Sequence, residues 1–154
     1  VTNSNVRDHP GRIVAEAVGA HIDNMRNWTR NGFLDGFGER GGVGGAWYYT
    51  RGEALAIALA VALARAGLGF SAAFEVVKHP TPDVVAALDG QDAIKLRFCP
   101  AQNAGAMSSA VNIVVDASAI VKEASKRLDS ALEIERRRPR RRLAFERAPI
   151  SSFA

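Results

Sequence analysis

The hydrophobic and polar positions of this chain fall into two rhythms, helical over most of its length and alternating in two short stretches. Residues 12–18 (RIVAEAV) carry apolar side chains at helical spacing and stop at Gly19, a residue suited to the turn that ends a helix. A second helical pattern runs over residues 22–30 and closes with Asn31-Gly32, followed by Phe33-Leu34. Residues 36–45 (GFGERGGVGG) are glycine-rich. The bulky Trp47, Tyr48 and Tyr49 after them favour a short strand. Thr50 with Glu53 three residues on forms a capping box that opens a helix to about Ala66, ending at Gly67 or Gly69. Ser71 is placed to cap a short helix to about Lys78. Thr81-Pro82 starts another that ends near Asp89-Gly90.

Beyond Gly90 the rhythm changes. Residues 93–98 alternate, with Ile94, Leu96 and Phe98 on one face and Lys95 and Arg97 on the other; Val111, Ile113 and Val115 align in a second strand over residues 110–115. A small polar loop over residues 100–109 makes an antiparallel pair the expected arrangement. Asp116 or Ser118 then caps a last helix to about Ile134. Its stripe of Ile120, Val121, Ala124, Leu128, Ala131 and Leu132 has nearly the spacing of a coiled-coil seam. The expected class is mainly α, with a winged helix-turn-helix followed by a small β-hairpin plus C-terminal helix, an α+β chain. Its expected parts are a flexible leader over 1–11, the helical unit over 12–90, the hairpin and helix over 91–134 as a candidate dimerisation element, and an arginine-rich tail over 135–154.

Composition narrows this little: 47% hydrophobic and 23% charged residues suffice for a packed core. The longest apolar run, residues 54–64, is too short to span a bilayer, which takes roughly 20 residues. The single cysteine, Cys99, and a polar start without an apolar signal region fit a cytoplasmic protein. Charge changes the picture more. The net charge is +4, yet residues 135–147 hold seven arginines and two glutamates, leaving 13 Lys and Arg against 14 Asp and Glu elsewhere. The body is therefore not polycationic, and a nucleic-acid site on it must be a local patch.

Residues 19–50 carry the informative chemistry: short helix, tight turn, second helix, glycine-rich hairpin, aromatic strand. Such a unit can lay its second helix in the major groove while the hairpin reaches the adjacent backbone or minor groove. On that helix Ile22, Met25 and Trp28 face inward, while Asp23, Arg26, Asn27 and Arg30 face outward with Asn24 at the edge. Arginine can fork onto guanine or phosphate, and asparagine can pair bidentately with adenine. Any amphipathic surface helix also has a charged face, so this pattern alone does not decide.

The run GAHIDNMRNWTRNGFL (residues 19–34) resembles the bacterial MerR family's pattern of a glycine turn, a polar capping residue, hydrophobe-Arg-x-aromatic and Gly-apolar-Leu. Trp47-Tyr48-Tyr49-Thr50 resembles the end of that family's wing. Residues 54–77, with Gly67-Leu68-Gly69-Phe70-Ser71, look like its following helix pair. The resemblance covers about residues 12–78 and implies a winged helix-turn-helix on double-stranded DNA. It places His21, Asp23, Asn24, Arg26, Asn27 and Arg30 on the recognition helix and Trp47 and Tyr48 on the wing. Trp47 stands where the family usually has a basic residue, which points to Arg40 at the wing tip or Arg51 for the phosphate contact. The family's long dimerisation helix is not evident over residues 80–110, and the strand pair and last helix are the candidate replacement.

Other motifs read more plainly. Gly36-Phe37-Gly38-Glu39-Arg40-Gly41 imitates a dinucleotide fingerprint but lacks the strand before it and the helix after it. His9, His21 and His79 are far apart with no ligand set at metal spacing. Cys99 reads as a packed small side chain, Asp116 as a cap, and Ser108-Ser109 lacks a nucleophile elbow. No enzyme activity, metal or cofactor is expected. The tail arginines Arg136, Arg137, Arg138, Arg140, Arg141 and Arg142 suit a nucleic-acid arm, with an acidic protein partner or a solvated tail as alternatives. The leading expectation is a nucleoid-associated, sequence-specific transcriptional regulator acting as a homodimer. A phage or mobile-element recombination accessory of excisionase type, an architectural DNA-binding protein, or a promoter adaptor that binds RNA polymerase or another protein are the alternatives.

Overall fold

A computed structural model describes residues 5–42, 44–98 and 112–138. The described chain is mainly helical with two small antiparallel sheets, an α+β arrangement. In order it runs β1 (His9–Pro10), α1 (Gly11–Ala17), α2 (Ile22–Arg30), β2 (Glu39–Gly41), β3 (Ala46–Tyr49), α3 (Arg51–Leu63), α4 (Phe70–Lys78), α5 (Pro82–Leu88), β4 (Lys95–Phe98), β5 (Ile113–Asp116) and α6 (Ala117–Arg137). Among the described residues no helix is long and apolar enough to cross a membrane.

The centre is α3. The Thr50 hydroxyl accepts from the Glu53 N–H at 3.1 Å, and the Glu53 carboxylate accepts from the Thr50 N–H at 2.8 Å, which is the capping box read from the sequence. From Ala54 to Leu63 only Ala62 is not fully buried. Helix α4 packs on one part of this surface and α6 on another. Each of Ile57, Leu59 and Leu63, completely buried, contributes on the order of 1.5–3 kcal/mol. The helix stops at Leu63 rather than Ala66, because the chain widens through residues 64–68 to reach Gly67 at φ +113°. Helix α4 then opens at Gly69 without a side-chain cap, so Ser71 does not play the expected role. Phe70 is drawn instead into an aromatic cluster, its ring 5.7 Å from Trp28 and 6.3 Å from Phe33.

The apolar stripe of α6, expected as a dimer seam, is part of this core. Val121, Ala124, Leu128 and Ala131 are buried in the same hydrophobic cluster as α1 and α3, and the helix packs on both. The feature that motivated dimerisation is thus satisfied within one chain. The helix starts at the Asp116 cap, whose carboxylate accepts from the Ala119 N–H at 2.9 Å, and continues past Ile134 to Arg137. Ser118, the alternative cap, is buried and staples the start of α6 to the residues before β4. Its hydroxyl donates to the Gln91 carbonyl at 2.6 Å and accepts from the Ile94 N–H at 2.9 Å. Strands β4 and β5 pair antiparallel as expected, Leu96 opposite Val115. Cys99, Ser108-Ser109, the loop over 100–109 and the tail beyond Arg138 lie outside the described residues.

Three residues of the expected leader belong to regular elements, His9 and Pro10 as β1 and Gly11 as the first residue of α1. His9 and Pro10 pair with Tyr49 and Tyr48, making a three-stranded sheet in the order β1-β3-β2, and His9 is buried. Just before them, Arg7 donates to Glu39 on β2 at 2.8 Å and to Glu53 on α3 at 3.2 Å.

Candidate nucleic-acid interface

A four-residue turn joins α1 to α2. Gly19 adopts φ +68°, a left-handed conformation that glycine takes without the Cβ penalty, and the Ala20 N–H closes the turn on the Ala15 carbonyl at 2.8 Å. The Arg65 guanidinium reaches in from the end of α3 and donates to the Val18 and Gly19 carbonyls at 3.3 and 3.0 Å. Helix α2 opens at His21, whose Nδ1 accepts from the Asp23 N–H at 3.3 Å. It closes with Asn31 and Gly32, the Phe33 N–H bonding back to the Trp28 carbonyl at 2.9 Å.

The two faces of α2 separate as the sequence indicates. Met25 and Trp28 are buried, and Trp28 sits 6.2 Å from Phe74, so α4 holds α2 from behind. His21, Asp23, Asn24, Arg26, Asn27 and Arg30 are all exposed. Arg26 donates to the Asp23 carboxylate at 2.8 Å, one turn back along the same face. That bond occupies one donor of a five-donor guanidinium and leaves a side chain 68% exposed.

The hairpin pairs Glu39 with Tyr48, Arg40 with Trp47 and Gly41 with Ala46. Arg40 therefore lies in β2, one pair behind the tip where the sequence reading put it. Its guanidinium folds over Gly45: a Cβ there would lie 3.4–3.5 Å from its Nε, Cζ and Nη2. The hairpin is fixed against the core by Tyr49. Gly38, at φ +72°, allows this approach, since a Cβ would meet the Tyr49 ring at 2.6 Å. Burial pushes the Tyr49 phenol above its ordinary pKa, against the opposing hydrogen bond with Thr29 of α2. At the foot of the hairpin, burial would raise the Glu53 carboxyl, but hydrogen bonds from the Thr50 N–H, Arg7 and the Gly38 N–H hold it below the usual carboxylate range.

Between α2 and the hairpin runs a cleft of about 640 Å³. Arg12, Arg26, Arg40, Thr29, Trp47 and Tyr48 are among the side chains that line it. The three arginines come from α1, α2 and β2, so a cationic surface is assembled from segments that are separate in sequence. Comparison with protein-family models, with curated proteins and with solved structures finds no match.

Arg12 was not singled out by the sequence reading. Its one signal is position: Arg12 and Glu16 lie on the exposed face of α1, opposite Ile13, Val14 and Ala17. What that face overlooks depends on the return of β3 across α1. Arg51, by contrast, was a candidate phosphate contact and is committed elsewhere. It donates to both Asp129 oxygens at 2.6 and 3.1 Å and to the Ser125 hydroxyl at 2.5 Å, tying the start of α3 to α6. Arg136 and Arg137 end α6, Arg138 follows as its extended C-cap, and all three are exposed, whereas Arg140, Arg141 and Arg142 lie outside the described residues.

Proposed function

We propose that the chain binds double-stranded DNA through a winged helix-turn-helix resembling that of the MerR family, with α1 and α2 as the helix pair and the β2–β3 hairpin as the wing. The observation that carries this reading is the cleft in which Arg12, Arg26 and Arg40 converge beside the exposed polar face of α2. A B-DNA major groove is about 12 Å wide and admits one helix. With α2 in it, Arg26, Asn27 and Arg30 face base edges and His21 and Asn24 lie near the start of the helix. Asp23 holds Arg26 in one orientation and gives up that bond, or shares it, when the guanidinium forks onto a base or phosphate. Arg40 and Arg12 meet the phosphates that flank the groove, and Trp47 and Tyr48 shape the wall between them.

Phosphate contact by Arg12 and Arg40 displaces condensed counterions, and log K then falls with log salt by about 0.9 per phosphate neutralised. The function we favour is sequence-specific transcriptional regulation. Genome-wide recovery of DNA bound to the full chain tests both levels of this reading. Sites centred on promoters support regulation, and sites clustered at an attachment region favour a recombination accessory role instead. Recovery of no DNA, with a stable protein complex in its place, overturns DNA binding in favour of an adaptor.

A further inference from the structure

Helix α6 is 21 residues long, so it spans about 30 Å. Its N-terminal end is hydrogen-bonded to the approach to β4, where the Ala117 N–H donates to the Ile94 carbonyl at 3.0 Å. Because its apolar stripe is locked onto α1 and α3, the position of its other end is set as well. There the Glu135 carboxylate meets two cations. One oxygen accepts from Arg12, a lining residue of the α2–hairpin cleft, and the other lies 3.7 Å from the Arg138 guanidinium. A single carboxylate thus offsets the repulsion between a cleft arginine and an arginine of the run that follows, and holds the two side by side. Arg136, next to Glu135 in sequence, is exposed and makes no ion pair among the described residues. Arg137 is held to Glu133 at 2.8 Å. After Pro139 the sequence adds Arg140, Arg141 and Arg142.

We propose that the C-terminal turn of α6 is a second phosphate-contact segment on the same face, fixed beside the cleft by Glu135, so that one duplex touches both. This rests on the duplex-binding reading above and extends its footprint. A duplex carries one negative charge per about 1.7 Å of axis, so DNA seated against Arg12 presents further phosphates to cations one helical turn away. Glu135 is a positioning residue in this arrangement, whereas Arg136 and Arg138 make the contacts.

The test is the salt dependence of binding of the full chain to a long mixed-sequence duplex. Two double variants are compared with the unmodified chain: Arg136→Ala with Arg138→Ala, and Lys95→Ala with Arg97→Ala. Each pair removes two exposed cations, the second at the far end of α6 on β4. The expected result is a slope flattened by about 1–2 in the first variant, with lower affinity, and a much smaller change in the second. Equal flattening in both would mean that only net charge matters and would overturn the proposal, as would an unchanged slope in the first variant. Tighter binding of polyglutamate than of duplex at the same salt would transfer the segment to an acidic protein partner. If the unmodified chain binds no duplex, the reading of the cleft itself fails; if it binds and the first variant binds identically, only the α6 assignment fails. Unchanged unfolding midpoints in both variants establish that the comparison is between folded proteins.

Discussion

The arginines around the α2–hairpin cleft and those on the helical core are the same side chain put to different use. On the surface of the core, Arg51 is held by both oxygens of Asp129, and Arg65 caps the carbonyls that end α1. Their acceptors are fixed by neighbouring elements, and their donors are engaged before any ligand arrives. At the cleft, Arg26 has one exposed carboxylate on its own helix and Arg40 lies over a glycine loop, while Arg12 combines the two uses, lining the cleft and pairing with Glu135 of α6. The difference teaches that the arrangement of fixed acceptors, rather than the count of cations, separates scaffolding from a surface that can receive an anion. Net charge points away from the cleft, since most of it resides after residue 134. Local geometry points toward it.

The largest effect that can break this comparison lies in the core. Leu128 is fully buried where α6 joins the chain's own hydrophobic cluster. Leu128→Ala is expected to lower stability by about 2–5 kcal/mol in urea denaturation, by the same amount at every protein concentration. A loss that depends on concentration would return the α6 stripe to an interface between chains. A middle-sized effect sharpens the contrast between the two sets of arginines. Arg51→Ala removes a two-pronged but partly exposed ion pair and is expected to cost about 1 kcal/mol of stability, with DNA affinity unchanged. Lost affinity at unchanged stability would place Arg51 with the cleft residues.

The smallest effect is a pH dependence. Hydrogen bonds from Arg51 hold the Asp129 carboxyl below its ordinary 3.8, and Glu53 is held below its ordinary 4.5 by Thr50, Arg7 and Gly38 against the opposing effect of burial. A carboxyl whose pKa is lower in the folded state contributes stability above its unfolded pKa and loses it as pH falls through the folded value. Stability is therefore expected to decline below about pH 4.5, and Glu53→Gln is expected to make that decline shallower in acid-titrated thermal unfolding. An identical acid limb in the variant would show that Glu53 titrates as if unfolded.

Features governed by near neighbours in the chain were legible from the sequence. The Thr50–Glu53 capping box, the Gly19 turn, the Asn31-Gly32 close and the two faces of α2 each depend on residues within one or two turns, and each lies where the pattern put it. Features decided by distant partners were not legible. His9–Pro10 becomes a strand only because Tyr48 and Tyr49, some forty residues on, pair with it. The apolar stripe of α6 is the same in sequence whether it meets another copy or its own α1 and α3, and periodicity carries no information about which. Arg12, to which the sequence pattern gave no role, and Arg51, a candidate phosphate contact, stand elsewhere than expected for a like reason. One faces a cleft closed by a later hairpin, and the other meets an aspartate 78 positions away.

The most direct test of the account is Arg26→Ala in the full chain, read as affinity for a duplex recovered from the genome against a scrambled duplex at one salt concentration. Arg26 is exposed and its pairing is confined to α2, so the variant is expected to keep its unfolding midpoint. The expected loss of specific affinity is about 1–3 kcal/mol, with a smaller loss on scrambled DNA. A folded variant that binds the recovered site as tightly as the unmodified chain would contradict the assignment of α2 as the helix that reads DNA.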